Sequence, residues 1–269
     1  MAPSANIANL SQTWEQRANR CAWLVEDAGA SRDVLRFYEH VLRFQGDASR
    51  HCVQVLAPES GLREQIDVEF VAQALLPDLL KLVEAKGPAA LAKEARELRA
   101  APTEAIRELL ILAVAPGGME FDRTTFFARA CLQPAAEALQ VQLGGLPHAA
   151  KGACPACGGL PQLAVLRSVG EGAERSLICS FCLREWVYRR VICPFCEEMD
   201  KEKLPRYKAE DFTYVGVEGC DTCRHYLKAV DLSLDGRAVP LVDEVAGAAL
   251  DVWAGEHGYA KVVPNLMGF

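Results

Sequence analysis

The chain has 269 residues, 51% of them apolar, with 29 Lys and Arg against 36 Asp and Glu and a formal net charge of -7. That apolar fraction sustains one large core or two smaller ones and excludes a disordered chain, and the negative balance argues against a protein whose main task is gripping phosphates. The 11 cysteines occur with no secretory apolar segment in Met1 to Arg20, and the longest apolar run, near Leu109 to Ala115, is far too short for a bilayer. A reducing cytoplasm is the expected setting, with no membrane insertion; there, paired cysteines hold metal or do redox work.

Residues 1–148 read as helices. Ser11 is a cap candidate, with Trp14, Cys21, Leu24 and Val25 on one face at helical spacing. A second helix begins at Ser31, where Val34, Leu35, Tyr38, Val41, Leu42 and Phe44 form a stripe broad enough to need a protein neighbour. Pro58 and Gly61 punctuate the next connection. Ile66, Phe70, Val71, Ala74 and Leu75 then precede Pro77, and Leu79, Leu80, Leu82 and Val83 follow it, a helix either kinked or restarted at the proline. Gly87-Pro88 ends it. Ala89 to Arg99 is rich in strong helix formers, and Pro102-Thr103-Glu104 opens another helix through Leu112. Beyond Pro116-Gly117-Gly118 a last long helix runs from Asp122 toward Leu143, with Pro134 as a kink candidate. Cys21, Cys52 and Cys131 are spaced for neither metal nor disulfide and read as buried packing. His40, His51 and His148 are isolated and carry no assigned chemistry.

Gly144-Gly145-Leu146-Pro147 marks a hinge, after which the apolar period becomes alternating. Strands are expected around Leu163 and Val165, Ser176 to Ile178, Trp186 to Ile192 and Thr213 to Val217. Asp235-Gly236 signals a turn. A final helix after Pro240 carries Leu241, Val245, Ala248, Ala249, Val252 and Trp253 on its apolar side and ends near Gly255 or Gly258. The tail from Val262 to Phe269 shows no motif.

This second half contains four Cys-x-x-Cys pairs, Cys154/Cys157, Cys179/Cys182, Cys193/Cys196 and Cys220/Cys223. Each such turn aims two sulfurs at one ion, so two turns complete a tetrahedral site. The long gaps, Cys154 to Cys179 and Cys193 to Cys220, leave room for a hairpin, which groups the first four cysteines in one module and the last four in another. Both modules open with Cys-Pro-x-Cys and close with a pair soon followed by an aromatic, Trp186 or Tyr226, expected to cover the sulfurs. This internal duplication predicts two metal ions per chain. Four thiolates suit zinc or a single iron and disfavour magnesium or calcium. Gly158 fits a left-handed residue after the second ligand, whereas Leu183, Glu197 and Arg224 occupy that place in the other turns. The expected organisation is α+β: a helical bundle over 1–148, tandem rubredoxin-like or zinc-ribbon four-cysteine modules over 149–190 and 191–234, and a C-terminal helix and tail over 235–269. The two modules should form a rigid pair, because little chain separates them.

No phosphate-cradling glycine loop, His-Glu-x-x-His or nucleophile elbow is present. If both sites fill, all eight paired cysteines are consumed and no coordination position stays open for a substrate. Such closed sites supply folding free energy, or, with iron, one-electron transfer. The basic residues Arg184, Arg189, Arg190, Lys201, Lys203, Arg206 and Lys208 read as solvated ribbon edges, and His225 as a surface histidine. A zinc-ribbon nucleic-acid-binding protein, a rubredoxin-like electron carrier and a thiol redox protein stand as alternatives.

A helical N-terminal half followed by Cys-Pro-Ala-Cys-Gly-Gly, Cys-Ser-Phe-Cys-Leu-Arg-Glu-Trp, Cys-Pro-Phe-Cys and Glu-Gly-Cys-Asp-Thr-Cys-Arg-His-Tyr-Leu-Lys resembles the formate dehydrogenase accessory protein family, FdhE. The closing Leu250-Asp-Val-Trp-Ala-Gly-Glu-His-Gly-Tyr extends the likeness. The resemblance implies a cytoplasmic maturation factor and not an enzyme. Its partner would be the catalytic subunit of respiratory formate dehydrogenase, which carries selenocysteine and molybdenum. No nucleic acid is implied, and self-association is left open. The resemblance also implies rubredoxin-like iron binding (Fe, with Zn as the other occupant) through Cys154, Cys157, Cys179, Cys182, Cys193, Cys196, Cys220 and Cys223.

Overall fold

A computed structural model describes residues 3–27, 29–52, 61–115, 117, 122–143, 152–170, 172–210 and 212–269. Pro58, Pro116, Gly118, the Gly144 to Pro147 hinge and His148 lie outside the described residues. Among the described residues seven α-helices precede the sheet: α1 (Pro3–Asp27), α2 (Arg32–His51), α3 (Val68–Phe70), α4 (Leu76–Lys86), α5 (Ala89–Ala100), α6 (Thr103–Val114) and α7 (Arg123–Gln140). The strands are β1 (Pro161–Val169), β2 (Gly172–Cys179), β3 (Glu185–Val187), β4 (Arg206–Ala209), β5 (Phe212–Gly219) and β6 (His225–Asp231). Then come α8 (Pro240–Ala246), α9 (Ala248–Glu256) and β7 (Ala260–Lys261).

The broad stripe of α2 is buried at Leu35, Phe37, Tyr38, Val41 and Leu42, against α1 on one side and α7 on the other. Ser11 does not start the first helix. Proline is tolerated in the first turn, so α1 runs from Pro3, and Thr13 donates back to the Asn9 carbonyl at 2.9 Å, an interior contact. Before Pro77 the chain does not restart: a π turn, Val71–Leu75, joins α3 to α4 and absorbs the missing proline N–H.

Helix α7 is buried on nearly every side from Thr125 to Gln140 and stands between the bundle and the sheet. Its start is a capping box in which Asp122 and Thr125 exchange bonds of 2.7 Å. Pro134 leaves the Ala130 carbonyl without its helical donor. Gln45 of α2, 1% exposed, supplies one at 3.0 Å, so the proline position is also a joint between helices.

The sheet order is β3-β2-β1-β6-β5-β4, with β7 on β6. Within each module the three strands are antiparallel, and the modules join through the parallel pair β1–β6, Leu163 opposite Lys228 to Leu166 opposite Asp231. Strands 3-2-1 and 6-5-4 thus stand head to tail, a translation of one module beside the other, as a duplication predicts. What joins the modules is this ladder and not a strand over Trp186 to Ile192. Strand β3 stops at Val187, because arginines take the carbonyls that would continue it: Arg175 binds that of Arg189 at 3.1 Å and Arg206 that of Arg190 at 3.4 Å.

The last helix is broken at Gly247 into α8 and α9. Ala249 and Val252 are exposed, and Asp251 is buried in their place. A charge network makes the reversal. Lys228, 0% exposed, contacts Asp251 and lies 3.2 Å from Glu244; Lys261 binds Glu244 and lies 3.1 Å from Asp251. Asn265, in the tail that shows no sequence motif, donates to Glu244 at 2.6 Å. No described helix is long and apolar enough to cross a membrane.

Candidate metal centres

Each Cys-x-x-Cys pair folds as the same knuckle. The first cysteine's N–H donates to the carbonyl five residues on: Cys154 to Gly159 at 2.8 Å, Cys179 to Arg184, Cys193 to Glu198 and Cys220 to His225, each at 2.9 Å. The residue after the second cysteine is left-handed in all four, with φ of 72° at Gly158, 57° at Leu183, 65° at Glu197 and 58° at Arg224. Three non-glycine residues therefore accept a conformation that costs about 1–2 kcal/mol each.

The knuckles meet in two groups of four sulfurs, Cys154, Cys157, Cys179 and Cys182, then Cys193, Cys196, Cys220 and Cys223, with all sulfurs of a group within 4.8 Å of one another. Cross-knuckle distances are 3.6 Å for Cys154–Cys182, 3.4 Å for Cys157–Cys179, 3.8 Å for Cys193–Cys223 and 3.6 Å for Cys196–Cys220. A disulfide would require about 2.05 Å. A tetrahedron with metal–sulfur bonds of about 2.3 Å has edges of about 3.8 Å, so both groups fit a four-coordinate thiophilic ion. In the first group, hydrogen bonds from Cys154, Cys179 and Cys182 hold the Cys157 thiol far below its ordinary range, while burial pushes Cys179 up and hydrogen bonds from its three neighbours push Cys182 up.

The first group is wedged between sheet and bundle, with Cys179 and Cys182 both 0% exposed. Three bundle side chains grip its knuckles. Arg63 donates to the Cys157 carbonyl at 2.8 Å and to the Val114 carbonyl at 2.6 Å, with its guanidinium 4.0 Å from the Phe181 ring centre. Gln133 donates to the Ser180 carbonyl at 2.9 Å and accepts from Gln45 at 3.1 Å. Arg129 joins the Ser180 carbonyl to that of Pro264, at 3.3 and 2.9 Å. None of these three carries a motif; their partners are backbone carbonyls distant in sequence, which leave no pattern to read.

The second group lies at the other module's end. Cys196 is exposed and Cys223 half-buried, and Phe195 and Met199 are exposed beside them. His225 stands outside both groups: its Nδ1 lies 2.8 Å from the Cys223 carbonyl and its ring stacks on Phe195 at 3.9 Å. Tyr226 belongs to the buried charge network through its hydroxyl on Asp251, 2.7 Å away. Trp186 is buried in β3 opposite Leu177. The modules touch at Gly152, where an added Cβ would lie 1.8 Å from the Pro194 carbonyl oxygen. Of the basic residues read as solvated edges, Arg184 reaches the Gln140 carbonyl at 3.3 Å and Arg206 pairs with Glu218 at 2.8 Å, while Lys201, Lys203 and Lys208 are exposed. Cys21, Cys52 and Cys131 are buried apart from both groups; burial pushes the thiols of Cys21 and Cys52 up to about 12, so they are inert.

Two family descriptions match in chain order: "FdhE, central domain" over residues 153–190 and "FdhE, C-terminal domain" over 191–267. A protein FdhE homolog of Aquifex aeolicus is 28% identical over 93% of this chain and 94% of its own length. One from Pseudomonas aeruginosa is 37% identical over a shorter stretch, 42% of this chain and 38% of that protein. The crystal structure of the FdhE protein from Pseudomonas aeruginosa superposes with a TM-score of 0.70 at 26% identity, covering 96% of both chains.

Proposed function

We propose, from the match of residues 153–190 and 191–267 to the FdhE central and C-terminal domains and the fold shared with the FdhE crystal structure, that this chain is an FdhE-family accessory protein for the maturation of respiratory formate dehydrogenase. It is not itself an enzyme. It works in the cytoplasm, binds the immature catalytic subunit, and holds iron in both four-cysteine sites, with zinc as the other candidate. The observation that carries this reading is the convergence of all eight paired sulfurs into two closed sets. A closed tetrahedron offers no position to a substrate and serves instead to brace what surrounds it. What the first set would brace is a joint of bundle, sheet and tail, a composite surface suited to a large client.

Cys154, Cys157, Cys179 and Cys182 would hold one ion and Cys193, Cys196, Cys220 and Cys223 the other. Elemental analysis and the optical spectrum of protein purified without oxygen test the occupants: two irons per chain with thiolate charge-transfer bands are expected, and a metal-free chain would sink the reading. Replacing Cys154 and Cys157 with Ala tests the bracing role. Capture of the catalytic subunit should fall with the metal; undiminished capture by metal-depleted protein counts against it. A second reading, one-electron exchange at the second site, is favoured by the exposure of Cys196 and demands iron with a reversible visible spectrum.

A further inference from the structure

A cavity of about 380 Å³ adjoins the second cysteine group. One wall is the chain from Arg190 to Pro194, which enters the third knuckle; another is Gly219-Cys220, which enters the fourth. Four cations, Arg175, Arg190, Lys201 and Arg206, line it against one carboxylate, Glu218. That carboxylate is already shared by two guanidiniums, Arg175 at 2.7 Å and Arg206 at 2.8 Å. Arg190 has no ion-pair partner among the described residues, and Lys201 has only its exposed neighbour Glu202, at 3.7 Å. Apolar side chains, Val191, Ile192, Leu204 and Val262, complete the lining. An adjoining cavity of about 270 Å³ shares Arg190, Arg206 and Glu218 and adds Lys208, Asp231 and Arg167, the last already paired with Glu185.

On a chain of net charge -7, a concave site with surplus cations is a local reversal of the protein's field, and low-dielectric walls focus such a field on whatever enters. A volume in the range of small-ligand pockets, mostly apolar walls and a few convergent charges are the features of a binding site. We propose that this cavity binds an organic carboxylate. The anionic head lies against Arg190 and Lys201, and an apolar body lies along Val191, Ile192 and Leu204. The apolar walls give an inorganic ion nothing to bind and favour an anion that carries an apolar body. The site rests on the metal-site reading only in that a knuckle forms its wall.

The test is calorimetric titration of the full, metal-loaded chain at low salt with butyrate, hexanoate and inorganic phosphate. Hexanoate should bind roughly fifteenfold tighter than butyrate, since each of its two additional buried methylenes contributes about fourfold, and tighter than phosphate. No saturable heat, equal affinity for the two carboxylates, or phosphate binding best would each overturn the assignment. The double substitution Arg190→Gln with Lys201→Gln should weaken hexanoate at least tenfold. Lys86→Gln with Lys93→Gln removes the same charge from exposed bundle positions and should leave it unchanged. Equal losses in the two variants would reduce the effect to net charge and refute the site. Metal is assayed in the same samples. If the cavity variant sheds its second metal ion, the cations serve the thiolates and the proposal fails; metal-free protein that still binds hexanoate refutes the metal reading alone.

Discussion

The two four-cysteine groups share one knuckle geometry and one sulfur spacing, yet they sit in opposite surroundings. The first is inside the molecule, gripped through its backbone carbonyls by Arg63, Arg129 and Gln133 from the bundle. The second stands at the periphery, with Cys196 open to solvent. The same four-cysteine arrangement occurs twice in the chain. The difference is the neighbour: the first module has the bundle against its knuckles, and the second presents its own to solvent and to a cationic cavity. Identical four-cysteine sets can thus stand as a keystone in one place and as an exposed feature in the other.

The largest expected effect breaks the comparison outright. Cys179→Ser should remove the first ion and unfold the sheet-bundle joint, because a structural four-thiolate site contributes about 10–16 kcal/mol against a typical total stability of about 5–15 kcal/mol. Cys196→Ser should leave one ion per chain and a folded protein by circular dichroism. Equal melting of the two variants would remove the distinction between keystone and periphery.

Next is the buried network that ties the tail to β6. Lys228→Met leaves Glu244 and Asp251 sharing one remaining cation, Lys261, and should cost about 3–5 kcal/mol in denaturant titrations. Lys203→Met, on the exposed side of the second module, should stay within about 0.5 kcal/mol. Gly152→Ala drives a Cβ into the Pro194 carbonyl and should cost about 1–3 kcal/mol by overpacking. Because Pro194 belongs to the third knuckle, chelator should then strip the second ion faster while the first is retained.

Acid should separate the regions as well. Burial opposes ionisation of Glu244, but Lys228 and Lys261 outweigh it and hold the carboxyl below its ordinary range. A depressed folded-state pKa stabilises the fold above the unfolded value of about 4.3. That contribution is lost as pH falls through the lower folded value. Thermal melts from pH 6 downward should therefore decline below about pH 4.3, and Glu244→Gln should flatten that decline without changing second-site metal content. The smallest effect concerns the knuckles. Glu197→Gly, at an exposed left-handed position, should stabilise by about 1 kcal/mol, and Gly158→Ala should cost about as much. Differential scanning calorimetry resolves both, and a destabilising Glu197→Gly would show that side-chain contacts outweigh backbone strain there.

How much of this was legible depends on the range over which each signal acts. The four knuckles are local: two cysteines three positions apart and a tight turn between them declare themselves within six residues. The pairing of knuckles into modules followed from gap lengths, and the left-handed backbone at Leu183, Glu197 and Arg224 was unreadable only because those residues lack glycine's preference. Helical stripes such as that of α2 were equally plain. Apart from the start of α1, where a first-turn proline extends the helix to Pro3, the errors fall where a distant partner overrules a local tendency. Strand β3 ends early because Arg175 and Arg206 take its carbonyls. Helix α9 turns Val252 outward because Lys228 and Lys261 draw Asp251 in. The motifless tail matters because Asn265 meets Glu244, 21 positions away.

Covalent spacing along the chain was enough to determine that eight sulfurs would be presented in four turns, and that helices would precede a sheet. Only the tertiary structure decided which sulfur group would be enclosed and which exposed, how the modules join through β1 and β6, and where surplus cations gather around a cavity. The physical reason is that a turn's geometry is set by bonds and torsions a few residues long. Burial, charge pairing and cavity shape are instead properties of surfaces that come together only when distant segments of the chain pack.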